Sequence, residues 1–108
     1  MKLILAIIQD EDAHEVISAL NEAKFQVTRL NTKGGFLRAG NTTLMTGVPA
    51  EKVEEALKII EENSKARTQH ATLPSAIGAM HGFLLAPIEV KVGGATVFVL
   101  DVEQFYKF

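Results

Sequence analysis

The sequence predicts an α+β domain in which two strand–helix halves are followed by further strands. Three observations carry that reading. Leu3-Ile4-Leu5-Ala6-Ile7-Ile8-Gln9 is an apolar run rich in β-branched residues, the composition of a central strand paired on both edges. Apolar residues then recur at helical spacing twice, at Ala13, Val16, Ile17, Leu20 and Ala23 and again at Val53, Ala56, Leu57 and Ile60. Near the end, Ile88, Val90 and Val92 alternate with Glu89 and Lys91, and a β-rich stretch follows over Thr96-Val97-Phe98-Val99-Leu100.

Taken in order, Asp10 or Asp12 is placed to cap the first helix, whose remaining faces carry His14, Glu15, Ser18 and Asn21. The next strand puts Phe25, Val27 and Arg29 on one side and Gln26, Thr28 and Leu30 on the other. A glycine-rich stretch interrupts, and residues 42–48 form a further strand. Pro49 suits the first turn of the second helix, where its missing N–H has no helical partner. That helix turns Glu51, Glu54, Glu55, Lys58, Glu61 and Glu62 outward. Residues 63–87, with Pro74, Gly78, Gly82 and Pro87, show no sustained period and predict a long loop. Gly93-Gly94 predicts the tight turn of a closing hairpin, and Glu103 to Phe108 make a short tail.

The order matches the split β-α-β layout of ferredoxin-like domains, β-α-β-β-α-β, with one additional C-terminal strand. Helices then cover one face of the sheet only. The other face carries Ile, Val and Phe side chains, and its expected cover is another copy of the chain, which places ligand sites between subunits.

With 108 residues the chain is read as one domain, 1–108, large enough for a single core. A formal charge of −2 supplies no global field for DNA, RNA or an acidic membrane surface, so an anionic ligand has to be held locally. The absence of cysteine excludes a disulfide framework, thiolate metal sites and a cysteine nucleophile. Asp10-Glu11-Asp12 follows the first apolar run where a secretory cleavage site would be needed, and no apolar run approaches the ~20 residues of a membrane span, so a soluble, cytoplasmic protein is expected. His14, His70 and His81 have no metal-ligand spacing, so no metal is expected. The carboxylates cluster on helix surfaces, and no enzymatic activity is expected.

The functional signal lies in a gap. Between Glu22 and Glu51 there is no acidic residue, and the centre of the gap reads Thr32-Lys33-Gly34-Gly35-Phe36-Leu37-Arg38-Ala39-Gly40-Asn41. Gly-Gly here is also what an exposed hairpin turn looks like. The length of the acid-free span, and a second one between Glu62 and Glu89, favour a ligand loop. Glycine N–H groups can approach an oxyanion, Lys24, Arg29, Lys33 and Arg38 supply positive potential, and Phe36 offers a flat face for a base. In the second span, Leu73, Ile77, Met80, Phe83, Leu84 and Leu85 fit either a lid or a protein-docking surface.

With these blocks in hand the chain resembles, over its whole length, the PII-like cyclic-di-AMP receptor family. The resemblance is carried by Lys2-Leu3-Ile4 with Gln9-Asp10, by Thr28-Arg29-Leu30 leading into Gly34-Gly35-Phe36-Leu37, by Ala39-Gly40-Asn41-Thr42-Thr43, and by Val92-Gly93-Gly94-Ala95-Thr96-Val97-Phe98-Val99-Leu100. It implies a non-catalytic homotrimeric sensor that binds cyclic-di-AMP between subunits, needs no cofactor, and signals to an unknown downstream protein through two mobile loops, near 31–41 and 63–87. It implies that Phe36 lies against adenine, Gly35 and Leu37 present backbone groups, and Asn41 reads an adenine edge. It further implies that Thr28 meets phosphate or ribose, Gly47 lets the base approach the strand, and Phe98 adds apolar contact. The sequence departs from the family at Gln26, where arginine is expected; Lys33, Arg38 or Lys107 are candidates to restore the charge. The alternative is a PII-like regulator that binds a mononucleotide such as ATP or AMP, or acts mainly through protein contact.

Overall fold

A computed structural model describes residues 1–30, 40–71 and 88–108. Strand β1 (Lys2–Gln9) runs directly into helix α1 (Asp10–Glu22), and β2 (Thr28–Leu30) and β3 (Asn41–Val48) follow. A single 3₁₀ turn (Ala50–Lys52) opens helix α2 (Val53–Ser64), after which come β4 (Arg67–Ala71), β5 (Ile88–Val92) and β6 (Ala95–Asp101). Among the described residues the main sheet has the order β2-β3-β1-β6 with every neighbouring pair antiparallel. Strand β3 therefore lies between β1 and β2, the split β-α-β arrangement, and the α+β layout is compatible with a ferredoxin-like fold.

The period-two pattern of β1 divides the sheet into two faces. Ile4, Ala6 and Ile8 are buried and face the helices, together with Leu44 and Val48 of β3. Ala13, Val16 and Leu20 of α1 and Ala56 and Ile60 of α2 complete this core, as their helical spacing predicts. Complete burial of each large aliphatic side chain here contributes about 1.5–3 kcal/mol.

Five sequence expectations are corrected. Neither Asp10 nor Asp12 caps α1: Gln9 occupies the cap position without a side-chain hydrogen bond, and both aspartates lie in the first turn. Asp12 is instead buried against Arg67 of β4, whose Nη2 donates to Asp12 Oδ1 at 2.8 Å. In the segment 25–30 only Thr28–Leu30 enter the sheet, because the Phe25 N–H is taken by the end of α1, donating to Leu20 O at 2.9 Å. The stretch 63–87 is not loop throughout: α2 continues to Ser64 and Arg67–Ala71 is a strand, while 72–87 lie outside the described residues.

The predicted hairpin across Gly93-Gly94 does not form. Strand β5 pairs with β4 in a separate two-stranded ribbon, whereas β6 pairs with β1. The two glycines, at φ +82° and +93°, are a joint between sheets. The additional strands are thus the β4–β5 ribbon inserted between α2 and β6, and β6 fills the outer position of the main sheet; there is no extra strand at the C-terminal end of the described chain. A cap motif closes α1: the N–H of Lys24 donates to Asn21 O at 3.0 Å beside the Phe25 to Leu20 bond, with Lys24 left-handed at φ +72°.

Candidate functional site

Strand register decides which side chains share the face of the sheet away from the helices. Leu5 is paired with Met45 and with Phe98, and Met45 in turn with Thr28, so Thr28, Met45, Leu5 and Phe98 form one row across the sheet. The neighbouring row holds Gly47, Leu3 and Leu100, and the row on the other side holds Thr43, Ile7 and Thr96. Gln9 and Asn41 pair at the far end. Four expected site residues, Thr28, Asn41, Gly47 and Phe98, therefore lie on one face, and Phe98 is 49 % exposed there.

Within that face the residues part company. Antiparallel pairing sets the end of β3 beside the start of β1, and α1, running back against β1, delivers its C-terminus to the same edge. The result is a groove of about 700 Å³, lined by Thr28, Gly47 and Gln26 together with Lys24, Lys52 and Phe105 among others. This is the size of a small-molecule site. A Cβ built on Gly47 meets only Met1 Sδ, at 3.7 Å, so the glycine leaves room in the groove that the fold itself does not require.

Asn41 stands at the opposite end of β3, roughly 20 Å from Gly47 at the rise of an extended strand. It lines a second, smaller cleft of about 370 Å³ with Gln9, Gly93, Gly94 and Thr96. Gln9 Oε1 accepts the Gly93 N–H at 2.7 Å, so the joint to the β4–β5 ribbon is fastened next to Asn41. Beside Asn41, Gly40 and Thr42 are tied to α1, and Arg29 is tied to Thr42. Arg29 Nη2 donates to Thr42 Oγ1 at 3.3 Å, the Thr42 hydroxyl donates to the Asp10 carboxylate, and the Asp10 N–H donates to Gly40 O at 2.8 Å. Gly35, Phe36 and Leu37, and also Lys33 and Arg38, lie outside the described residues.

With this geometry in place, comparison with known proteins decides the family. The family whose description is "Cyclic-di-AMP receptor" matches residues 1–108. The chain belongs to the cyclic-di-AMP receptor family. Its fold is similar to the crystal structure of a functionally unknown protein from Pediococcus pentosaceus ATCC 25745, with a TM-score of 0.78 and 41 % identity over 99 % of this chain and 96 % of that one.

In this member of the cyclic-di-AMP receptor family the groove holds two charged side chains, Lys24, which the sequence marks as a source of positive potential, and Lys52, which it does not mark. Lys52 was invisible because it is far from Lys24 in sequence and only the antiparallel topology joins them. Lys24 belongs to the acid-free span, but nothing local in the sequence places it at the helix terminus on the groove.

Elsewhere, hydrogen bonding to Asp12 holds the Arg67 guanidinium above its ordinary pKa, against partial desolvation. A hydrogen bond from Lys2, aided by its charge, holds the Asp101 carboxyl below its ordinary value. Among the described residues no cluster of three or more His, Cys, Asp or Glu side chains could hold a metal, and no helix is long and apolar enough to cross a membrane. His14 is exposed on α1, and His81 lies outside the described residues.

Proposed function

We propose that this chain is a non-catalytic signalling receptor that binds cyclic-di-AMP in clefts between subunits of a homotrimer. The family match along residues 1–108 carries the ligand assignment. Two features support the assembly. The face of the sheet away from the helices presents Leu3, Leu5, Ile7, Met45, Phe98 and Leu100 in adjoining rows, with Phe98 and Leu100 exposed. Moreover, Asn41 and Gly47 stand at opposite ends of one strand; adjoining copies, by contrast, can set the Asn41 end of one beside the Gly47 end of the next.

In this reading Phe36 stacks on an adenine, Gly35 and Leu37 offer main-chain groups, and Asn41 pairs with the N6/N7 edge, for which a carboxamide has one donor and one acceptor. Thr28 and Gly47 shape the groove, and Phe98 supplies apolar contact. A second reading takes ATP or AMP as the ligand, since a groove of about 700 Å³ within one chain has the size of a single-nucleotide site.

Calorimetric titration with cyclic-di-AMP, cyclic-di-GMP and ATP separates the two. The receptor reading expects saturable binding of the first alone, near one ligand per subunit, with no linear dinucleotide or AMP formed on incubation. Binding of ATP with none of cyclic-di-AMP would favour the second.

A further inference from the structure

The groove presents a problem of charge. A cyclic dinucleotide brings two phosphodiesters, each singly negative near neutral pH, while Gln26 is neutral. The charged side chains lining the groove among the described residues are Lys24 and Lys52, and its lining holds no carboxylate. Both lysines are exposed, and neither ammonium lies within ion-pair distance of a described carboxylate, whereas Lys2, Lys58 and Arg67 each meet one. Two uncompensated cations facing one cavity repel each other weakly and gain most when a dianion enters between them.

Lys24 carries a second mark. It is the one described non-glycine residue with positive φ, at +72°, in the helix-terminating position that glycine normally takes. Two backbone hydrogen bonds hold it there: its own N–H donates to Asn21 O at 3.0 Å and that of the buried Phe25 donates to Leu20 O at 2.9 Å. The fold would be served better by glycine, so a charged side chain retained at this conformational cost points to use of the side chain itself. Lys52 is anchored by the 3₁₀ turn, its N–H donating to Pro49 O at 2.9 Å, which fixes its backbone at the rim of the same groove.

We propose that Lys24 and Lys52 are the phosphate-binding pair of this groove, supplying the positive charge that Gln26 lacks. The proposal rests on the cyclic dinucleotide reading above and names the residues that give it affinity. Because both ammonium groups sit at an open rim, their contribution is sensitive to ionic strength.

The test is calorimetric titration of the full chain with cyclic-di-AMP at low and high sodium chloride, for wild type, Lys24→Gln, Lys52→Gln, the double variant, and the double variant carrying Gln26→Arg. Lys24→Asn, which tolerates left-handed backbone while removing the charge, replaces Lys24→Gln if the latter melts lower without ligand. The expected result is a loss of roughly fivefold to tenfold for each single variant at low salt. The double variant is expected to lose most of the salt dependence, and Gln26→Arg to restore part of both. A double variant that binds with wild-type affinity and salt dependence overturns the lysine assignment and leaves the receptor reading standing. A wild type that takes up no cyclic-di-AMP at either salt concentration overturns the receptor reading, and the lysine assignment with it.

Discussion

A methyl group at position 47 would touch Met1 Sδ at 3.7 Å and nothing closer, which is ordinary contact. Gly47→Ala is therefore expected to change stability by no more than about 0.5 kcal/mol in urea denaturation, while intruding on the ligand and weakening it in titration; equal binding by the two proteins would remove Gly47 from the site. Lys24 makes the converse case. Left-handed backbone costs a residue with a Cβ roughly 1–2 kcal/mol, partly offset by the greater unfolded-state freedom of glycine, so Lys24→Gly is expected to stabilise by about 0.5–1 kcal/mol. The same variant is expected to bind the ligand less well, a separation that a purely structural lysine would not show. At the sheet edge, Lys2 lowers the Asp101 pKa, chiefly by hydrogen bonding. A carboxyl whose folded pKa is depressed contributes stability above its unfolded pKa and loses it as pH falls through the folded one. Asp101 is largely exposed, so the effect is small. The stability gap between wild type and Lys2→Met should be open at neutral pH and close on acidification past the ordinary carboxylate range, as followed by denaturation at successive pH values.

At the scale of elements, the joint between sheets is the most constrained point. A Cβ on Gly93 would lie 2.6 Å from both Lys65 O and Arg67 Nη1 and 3.0 Å from Ser64 O, at φ +82°. Gly93→Ala is expected to cost about 1–3 kcal/mol from backbone strain, with further loss from displacement of the Lys65 carbonyl, read as a lowered urea midpoint. An unchanged midpoint would mean that the ribbon moves aside freely. This joint also shows what a sequence can and cannot convey. The alternation at 88–92 and the apolar run at 96–100 correctly indicate strands, because period two reports extended backbone. It does not report which strand lies alongside, and Gly-Gly between two strands looks the same whether it folds them together or sends them to different sheets. Both helices and β1 were legible because each buries a continuous apolar stripe. Strand β4, Arg67-Thr68-Gln69-His70-Ala71, has no such stripe, and its tie to α1 runs through Arg67 and Asp12, a pair 55 positions apart. No local pattern marks Thr28 or Gly47 either: the sequence names them only through the family resemblance, and the presence of Lys52 and Lys24 in one groove depends on topology.

For the molecule as a whole, the unequal treatment of the two sheet faces is the feature with the largest energetic consequence. The helix side is closed by a packed core, whereas Leu3, Leu5, Ile7, Met45 and Phe98 form an apolar surface on the other side. Strand β6 is exposed on both sides, with Phe98, Val99 and Leu100 between 44 and 49 % accessible. In the proposed trimer, burying such a surface at about 25 cal/mol per Å² would drive association, and a charge set in its middle would oppose it far more than it would disturb the chain's own core. Leu5 is the natural position to test, because it sits between Met45 and Phe98 while its neighbours Ile4 and Ala6 carry the helix-side packing. Wild type is expected to elute with a mass near three chains of 11.8 kDa in light scattering, and Leu5→Lys as a single chain that keeps its helical circular dichroism. If ligand sites lie between subunits, that monomer also loses cyclic-di-AMP binding although Lys24, Thr28, Gly47 and Lys52 are untouched. A monomeric variant that binds at wild-type affinity would place the whole site within one chain and refute the intersubunit cleft.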